Sequence, residues 1–217
     1  MEDSEKSEDR NKAPGWLSYA RRLQTIAQAG LTYSENKYDR ERFKEIQKIG
    51  AEILREYSSL EKEKAEDLLE SEIGYPTPRV DVRAAIFRKG DILMVKEKIN
   101  DRWSLPGGWA DIEWSLKENL IKEAHEEAGV EINPRRIIGV FDRGTKDEEA
   151  LSFYGIYKIF VECDFISMDF QENIETSTAK FYGRDDLPNI SKERNTEEEI
   201  KLCFEARNKE NFEAKFD

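Results

Sequence analysis

The residues best able to do chemistry lie in one stretch, GGWADIEWSLKENLIKEAHEEAGV, residues 107 to 130. Glu123, Glu126 and Glu127 fall three and four positions apart, so a helix should carry all three on one side, opposite Leu120 and Ala124. Like charges at that spacing destabilise a bare helix by about 0.2–0.5 kcal/mol per pair. A hard divalent cation relieves the repulsion, and magnesium prefers carboxylate oxygens, completing its shell with water and phosphate. The three glutamates are therefore candidate metal ligands. Just upstream, Gly107 and Gly108 would let the backbone approach the helix and a phosphate closely. The other reading of the acidic run is a solvated helix face; the glycine pair before it and Gly129 after it weigh against that. His125 falls between the glutamates in sequence but off their side, which points to a surface or supporting place.

These groups need elements to hold them. Leu116, Leu120 and Ala124 recur every four residues and predict a helix from Ser115 to Ala128, stopped by Gly129 in the left-handed conformation. Val80 to Phe87 and Ile92 to Val95 read as strands around a hairpin turn at Lys89-Gly90-Asp91. Trp103 to Leu105 is a short apolar segment before Pro106. Further strands are expected at Ile137 to Phe141, Phe153 to Cys163 and Ala179 to Tyr182, with a polar loop from Gly144 to Ala150. A last amphipathic helix over 196–207 would bury Ile200, Leu202, Cys203 and Ala206. Strands mixed with helices in this way make an α+β domain.

The N-terminal part has a different period. Residues 1–13 read as a disordered acidic tail. Leu17, Ala20, Leu23, Ile26 and Ala27 recur at helical spacing, with Gly30 closing that helix. Phe43, Ile46, Ile49, Ile53 and Leu54 mark a second helix, ending at Ser58 and Ser59. Ala65, Leu68 and Leu69 suggest a short third. The plan is thus a helical domain over 14–72, a linker over 73–79 broken by Gly74, Pro76 and Pro78, and a larger domain over 80–217. At about 150 residues per domain, 217 residues make one large domain or two small ones.

Charge narrows the partners. The chain has 35 basic and 47 acidic residues, a net charge of -12, which disfavours coating nucleic acid or anionic lipid. An anionic small substrate remains open, because bound cations invert the local field. Cys163 and Cys203 belong to no CxxC, and one histidine is too few for a zinc site, so both read as reduced, partly buried thiols. The start MEDSEKSEDRNK is unlike a signal peptide, and no apolar run nears the ~18 residues of a membrane span. A cytoplasmic protein without a membrane partner is the expectation.

The same stretch resembles the signature of the Nudix hydrolases. That pattern runs glycine, five residues, glutamate, seven residues, then arginine-glutamate, an aliphatic residue, any residue, glutamate-glutamate, any residue, glycine and an aliphatic residue. Gly108, Glu123, Glu126, Glu127, Gly129 and Val130 stand in register with it, and Ala124 fills a position usually held by a larger aliphatic residue. Two polar positions depart from it. Trp114 stands where the first glutamate would be, with Glu113 one residue earlier, and Lys122 replaces the arginine, keeping the charge without the bidentate fork. WLSYARRLQTIAQAGLTYSENKYDRERFKEI, TPRVDVRAAIF, LPGGWADIE, ENIETS, DDLPNIS and ERNT resemble one branch of that family, whose members include CDP-choline and ADP-ribose pyrophosphatases.

The resemblance implies a Nudix α/β/α sandwich with a mixed sheet behind an N-terminal helical domain that assists a homodimer and shapes the substrate cleft. It implies Mg2+-dependent (or Mn2+-dependent) attack of water on a pyrophosphate linkage. The substrate would be a nucleoside diphosphate joined to a second group: CDP-choline, giving CMP and phosphocholine, or ADP-ribose, giving AMP and ribose 5-phosphate. By the same carry-over Glu123 and Glu127 are the foremost catalytic metal ligands, with Glu126 close behind, and Lys122 orients them. Glu175 in ENIETS is a loop candidate for the general base, or else an ordinary surface glutamate. Gly107 and Gly108 would meet the phosphates. Arg83, in a core strand, needs an anionic partner, either substrate phosphate or a nearby glutamate. Trp109 and Tyr157, with Trp103 and Trp114 near by, offer aromatic faces to a choline cation, although packing accounts for the tryptophan beside the loop equally well. CDP-choline is slightly favoured, because the Trp109 loop and the helical domain resemble that branch. A non-catalytic nucleotide-binding sensor and a hydrolase of RNA 5' ends are the competing readings.

Overall fold

The computed structural model describes residues 15–58, 74–143 and 155–217. The expected tail, the third helix and the loop from Gly144 to Ala150 lie outside the described residues. The chain divides into two compact units, one holding the N-terminal helices and the other the sheet.

In the first unit, α1 (Gly15–Tyr33) packs against α2 (Lys37–Tyr57). Asn36 caps α2, its side chain accepting from the amides of Tyr38 and Asp39. The small core is Leu17, Ala20, Ala51 and Leu54, bordered by Trp16 and Ile53. Two sequence expectations are corrected here. Gly30 does not close α1, which runs on to Tyr33. Its lack of a side chain serves packing: a Cβ there would lie 2.4 Å from the Phe43 ring. The apolar residues also divide between two faces. Leu17, Ala20, Gln24, Ala27 and Gln28 are buried on α1, whereas Ile26 is 51% exposed, and on α2 Ile49 is 41% exposed.

The second unit is a sheet of β1 (Arg79–Arg88), β2 (Asp91–Glu97), β3 (Trp103–Ser104), β4 (Val130–Asp142), β5 (Ile156–Met168), β6 (Thr176–Tyr182) and β7 (Lys215–Phe216). Its order is β3-β2-β1-β5-β4-β7, with β6 paired to β2. β1 pairs parallel with β5 and antiparallel with β2, so the sheet is mixed. The β1–β2 hairpin turns at Lys89 and Gly90, both at positive φ (53° and 94°), the backbone a two-residue hairpin turn requires. The strand at the linker starts one residue early, at Arg79, and the strand expected at Ile137 begins at Val130, directly after the helix.

Two helices cover the two faces. The first, α3 (Leu116–Ala128), lays Leu120, Ala124 and Ala128 against Val82, Ala84, Ile86, Leu93, Val95 and Val161. The second, α4 (Glu197–Arg207), lays Ile200, Cys203, Phe204 and Ala206 against Ala85, Phe87, Ile92, Met94 and Phe160. This is the α/β/α sandwich expected, in an α+β chain. Both helices open with a capping box, Ser115 with Glu118 and Thr196 with Glu199. Leu202 is only partly buried, and Cys163 and Cys203 are both buried and unpaired. Arg136 of β4 fastens the far end of α4. It donates to the carbonyls of Ala206, Lys209 and Glu210, while its Nε meets Glu162 at 2.7 Å. No helix among the described residues is long and apolar enough to cross a membrane.

Candidate active site

The loop from Leu105 to Ala110 runs antiparallel beside the first half of β1. The amides of Val82 and Ala84 donate to the carbonyls of Gly108 and Pro106, each at 2.8 Å, and the amide of Ala110 donates to Val80 at 2.9 Å. Such close approach demands glycine. Gly107 has φ +142°, and a Cβ there would lie 2.0 Å from the Val82 carbonyl oxygen. A Cβ on Gly108 would lie 2.8 Å from Glu123 Oε2. The loop is thus pressed between β1 and the glutamates of α3.

The three glutamates are not equivalent. Glu127 stands two turns after Leu120 and shares its side of the helix, so the expectation that all three oppose the core is corrected for Glu127. It is partly buried and accepts the Gly107 amide at 2.8 Å. Burial pushes its carboxyl up to about 7, helped by Glu123 and Glu175 and opposed by Arg83 and that amide. Glu123 has a side chain only 14% exposed. Burial raises its pKa as well, with Lys122 opposing and Glu126 adding. Glu126 faces outward, its side chain 57% exposed and 3.0 Å from the Lys122 ammonium. His125 is exposed.

Lys122 touches Asp111, Glu123 and Glu126 at 3.3, 3.4 and 3.0 Å, and its pKa is raised, first by the hydrogen bond to Glu126. Asn119, buried in the first turns of α3, accepts the Asp111 amide at 2.8 Å and donates to the Trp114 carbonyl at 3.0 Å. At the other end of α3, Asn173 donates to the Glu126 carbonyl at 2.9 Å, and Thr176 Oγ1 donates to the Glu127 carbonyl at 2.6 Å. That turn brings the exposed Glu175 close enough for its charge to act on Glu127.

Arg83 has found a different anion from those expected. It is 1% exposed and forks onto Asp81, Nε to Oδ1 at 2.7 Å and Nη2 to Oδ2 at 2.8 Å, with Nη1 donating to the Leu105 carbonyl at 3.1 Å. Three of its five N–H donors are thus taken up inside the protein, so of the two expected partners the structure supplies a carboxylate, an aspartate in place of a glutamate. Burial pushes the Asp81 carboxyl up, and Arg83 outweighs it, leaving the carboxyl below its ordinary range. Lys158, also 1% exposed, pairs in register with Asp81 and donates to the Arg194 carbonyl; burial, with Arg83 adding, lowers its pKa to about 7. Trp109 is bridged to Asp81 on one side of β1, and Tyr157 registers with Val80 on the other. Both residues are 47% exposed.

The set does not form a preformed metal cage: among the described residues no three of His, Cys, Asp or Glu converge tightly enough to hold an ion. Magnesium does not require one, since it takes one or two carboxylates and fills its shell with water and phosphate. Glu123 and Glu127, crowded and with raised pKa values, fit that use. Glu126, turned to solvent and paired with Lys122, fits it less well.

A mixed sheet between two helices, with a glycine loop folded onto a glutamate-bearing helix, defines a class. A model described as the NUDIX domain matches residues 77–202, and one described as a UDP-X-like N-terminal oligomerisation domain matches residues 14–69. The chain belongs to the Nudix hydrolases and is a pyrophosphohydrolase. It is 43% identical over 190 residues to a Bacillus subtilis (strain 168) protein, YjhB, whose name gives ADP-ribose pyrophosphatase as a provisional activity; the match covers 88% of this chain and 91% of that one. Among solved structures, an ADP-ribose pyrophosphatase from Streptococcus suis 89-1591 is 38% identical with TM-score 0.58, covering 65% of this chain and 100% of that one. A UDP-X diphosphatase is 31% identical with TM-score 0.59, covering 94% and 98%.

Asp81, Asp111, Asn119, Asn173 and Thr176 were missed by sequence reasoning. Asp81 alone left a signal: in VDVR the two charged residues alternate, which puts them on one face of a buried strand where they must pair.

Proposed function

We propose that this chain hydrolyses the pyrophosphate linkage of a nucleoside diphosphate joined to a second group, with ADP-ribose first among the candidates and Mg2+ or Mn2+ as the cofactor. The observation that supports it most is the Gly107 amide on Glu127, which ties the phosphate loop to a carboxyl that burial pushes up to about 7. The named activities of the Bacillus and Streptococcus relatives support ADP-ribose. Glu123 and Glu127 would hold the divalent cation, with Glu126 contributing. When bound, that ion neutralises phosphate oxygens and acidifies the attacking water.

The chain's own residues supply the rest. Gly107 and Gly108 leave the backbone bare where phosphate oxygens must approach. Arg83 keeps its charge beneath the loop without touching solvent, which limits how far Glu127 is pushed toward its neutral form. Glu127 near 7 and the more accessible Glu175 are the two candidates to take the proton of water. Lys122 holds Glu123 and Glu126 from the solvent side. Trp109 and Tyr157, half exposed on either side of β1, offer stacking faces for the nucleobase or for the second group.

CDP-choline is the second reading, carried by the exposed Trp109 ring beside Gly108, which suits a quaternary ammonium. We further propose a homodimer, supported by the apolar residues that α1 and α2 leave exposed and by the description of the matched N-terminal model. Product release from ADP-ribose, CDP-choline and a 5'-triphosphorylated RNA, with Mg2+ or Mn2+, decides the substrate. AMP and ribose 5-phosphate as the preferred products support the first reading. A preference for CDP-choline moves the assignment to the second, and no turnover of any of the three overturns both.

A further inference from the structure

The Lys122 ammonium meets Glu123 and Glu126 of its own helix and one carboxylate from outside it, Asp111 Oδ2 at 3.3 Å. We propose that Asp111 is a positioning residue for the site: from the loop it holds Lys122 over Glu123 and so keeps the Glu123 carboxylate turned toward Gly108. This rests on the reading of Glu123 as a cation ligand.

The helix alone does not fix Lys122. A lysine ammonium is a strongly hydrated point charge on a flexible stem. An exposed pair with a glutamate one turn on contributes only about 0.3–0.5 kcal/mol. Glu126, the partner one turn on, has a side chain 57% exposed and Asp111 one 53% exposed, so neither pair alone fixes the ammonium. A second anchor on the loop side restricts the ammonium to the space between α3 and the loop, directly beside Glu123. What Asp111 adds is direction more than strength, because two other carboxylates already neutralise the charge.

The loop is built to deliver that anchor. Asn119 is 1% exposed. Its Oδ1 accepts the Asp111 amide at 2.8 Å, and its Nδ2 faces the carbonyls of Asp111, Trp114 and Ser115 at 3.3, 3.0 and 3.2 Å. The turn from Asp111 to Ser115 is therefore wrapped around one buried amide side chain. Ser115 then caps α3. Trp114, where the family pattern has an acid, gives only backbone groups to this arrangement and is itself 49% exposed. The negative charge that faces Lys122 from the loop comes from position 111 instead. These bonds use the Asp111 backbone, so an asparagine at 111 keeps the turn and removes only the charge.

The test is Mn2+ binding to the full chain without substrate, followed by the electron-spin-resonance signal of free Mn2+, in native protein, Asp111→Asn, Lys122→Met and the double variant. Asp111→Asn is expected to weaken Mn2+ binding about tenfold, as loss of a partner behind a metal ligand does. It should lower kcat on the preferred substrate by a similar factor with KM little changed. In the Lys122→Met background the same change should have no further effect on binding. Unchanged Mn2+ binding in Asp111→Asn overturns the proposal. So does an equal loss in both backgrounds, which would mean that Asp111 acts on the cation through its charge and not through Lys122. Native protein that binds no Mn2+ overturns the cation-site reading itself, a result distinct from either.

Discussion

On the proposed reading Glu127 has two roles that conflict until a cation binds. As a ligand and candidate base it must ionise; buried beside Glu123 and Glu175 it resists doing so, and its pKa stands near 7 against an ordinary 4.5. A carboxyl raised on folding binds its proton more tightly in the native state, so the contribution of Glu127 to metal-free stability is greatest below about pH 4.5 and falls as pH rises toward 7. The loss from this group is on the order of 3–4 kcal/mol at most, since each tenfold change in proton affinity is worth roughly 1.4 kcal/mol. Glu127→Gln keeps an oxygen for the Gly107 amide and removes the charge. In chelator, urea unfolding of that variant should match native protein near pH 5 and exceed it at pH 8, while activity drops by roughly 10²–10⁴. Parallel stability curves from pH 5 to 8 would show that the burial is relieved in solution. The glutamates were legible in the sequence because their spacing lies within one helix. The Asp81–Arg83 fork was half legible: the need for an anion could be stated, but its choice of Asp81 over substrate depends on how deeply β1 is buried.

At the scale of elements, the loop and α3 form one device with two glycines that are constrained differently. Gly107 is held by backbone: its φ of +142° and the Val82 oxygen at 2.0 Å from a Cβ exclude any side chain unless the loop leaves β1. Gly108 is held only by the far end of the Glu123 side chain. Gly107→Ala should therefore cost at least about 2 kcal/mol in urea unfolding as well as activity. Gly108→Ala should unfold near the native midpoint yet lose about tenfold or more in kcat, because Glu123 must turn away. Equal stability losses in the two variants would contradict this division. Both helix starts were readable from local chemistry, Ser115 before Leu116 and Thr196 before Glu197. What holds the ends was not. Asn173 and Thr176 reach the last carbonyls of α3, and Arg136 those of α4, from strands and turns distant in the chain, and no local pattern announces such partners.

For the whole molecule, the N-terminal helices pose the remaining physical question. Besides Leu17 and Leu54, their buried residues are mostly alanines and glutamines, while the larger Tyr19, Ile26, Tyr33, Ile49 and Tyr57 remain exposed. The periodicity predicts one stripe per helix where there are two, because helical spacing marks apolar residues without saying which neighbour each will meet. A second copy of the chain is the occupant we expect there, since a two-fold interface repeats the same patch on both partners. Light scattering should give the native chain twice its monomer mass, and Ile26→Glu with Ile49→Glu should bring it to the monomer. A native monomer, or an unchanged mass in that variant, removes the dimer. The pairing of β1 has a further consequence. Its centre is bonded to β5 along one edge, but along the other the amides of Val82 and Ala84 are closed off only by carbonyls of the glycine loop. Deuterium reaches those two amides only when the loop lifts, so their exchange rates time the opening of the site from inside the sheet.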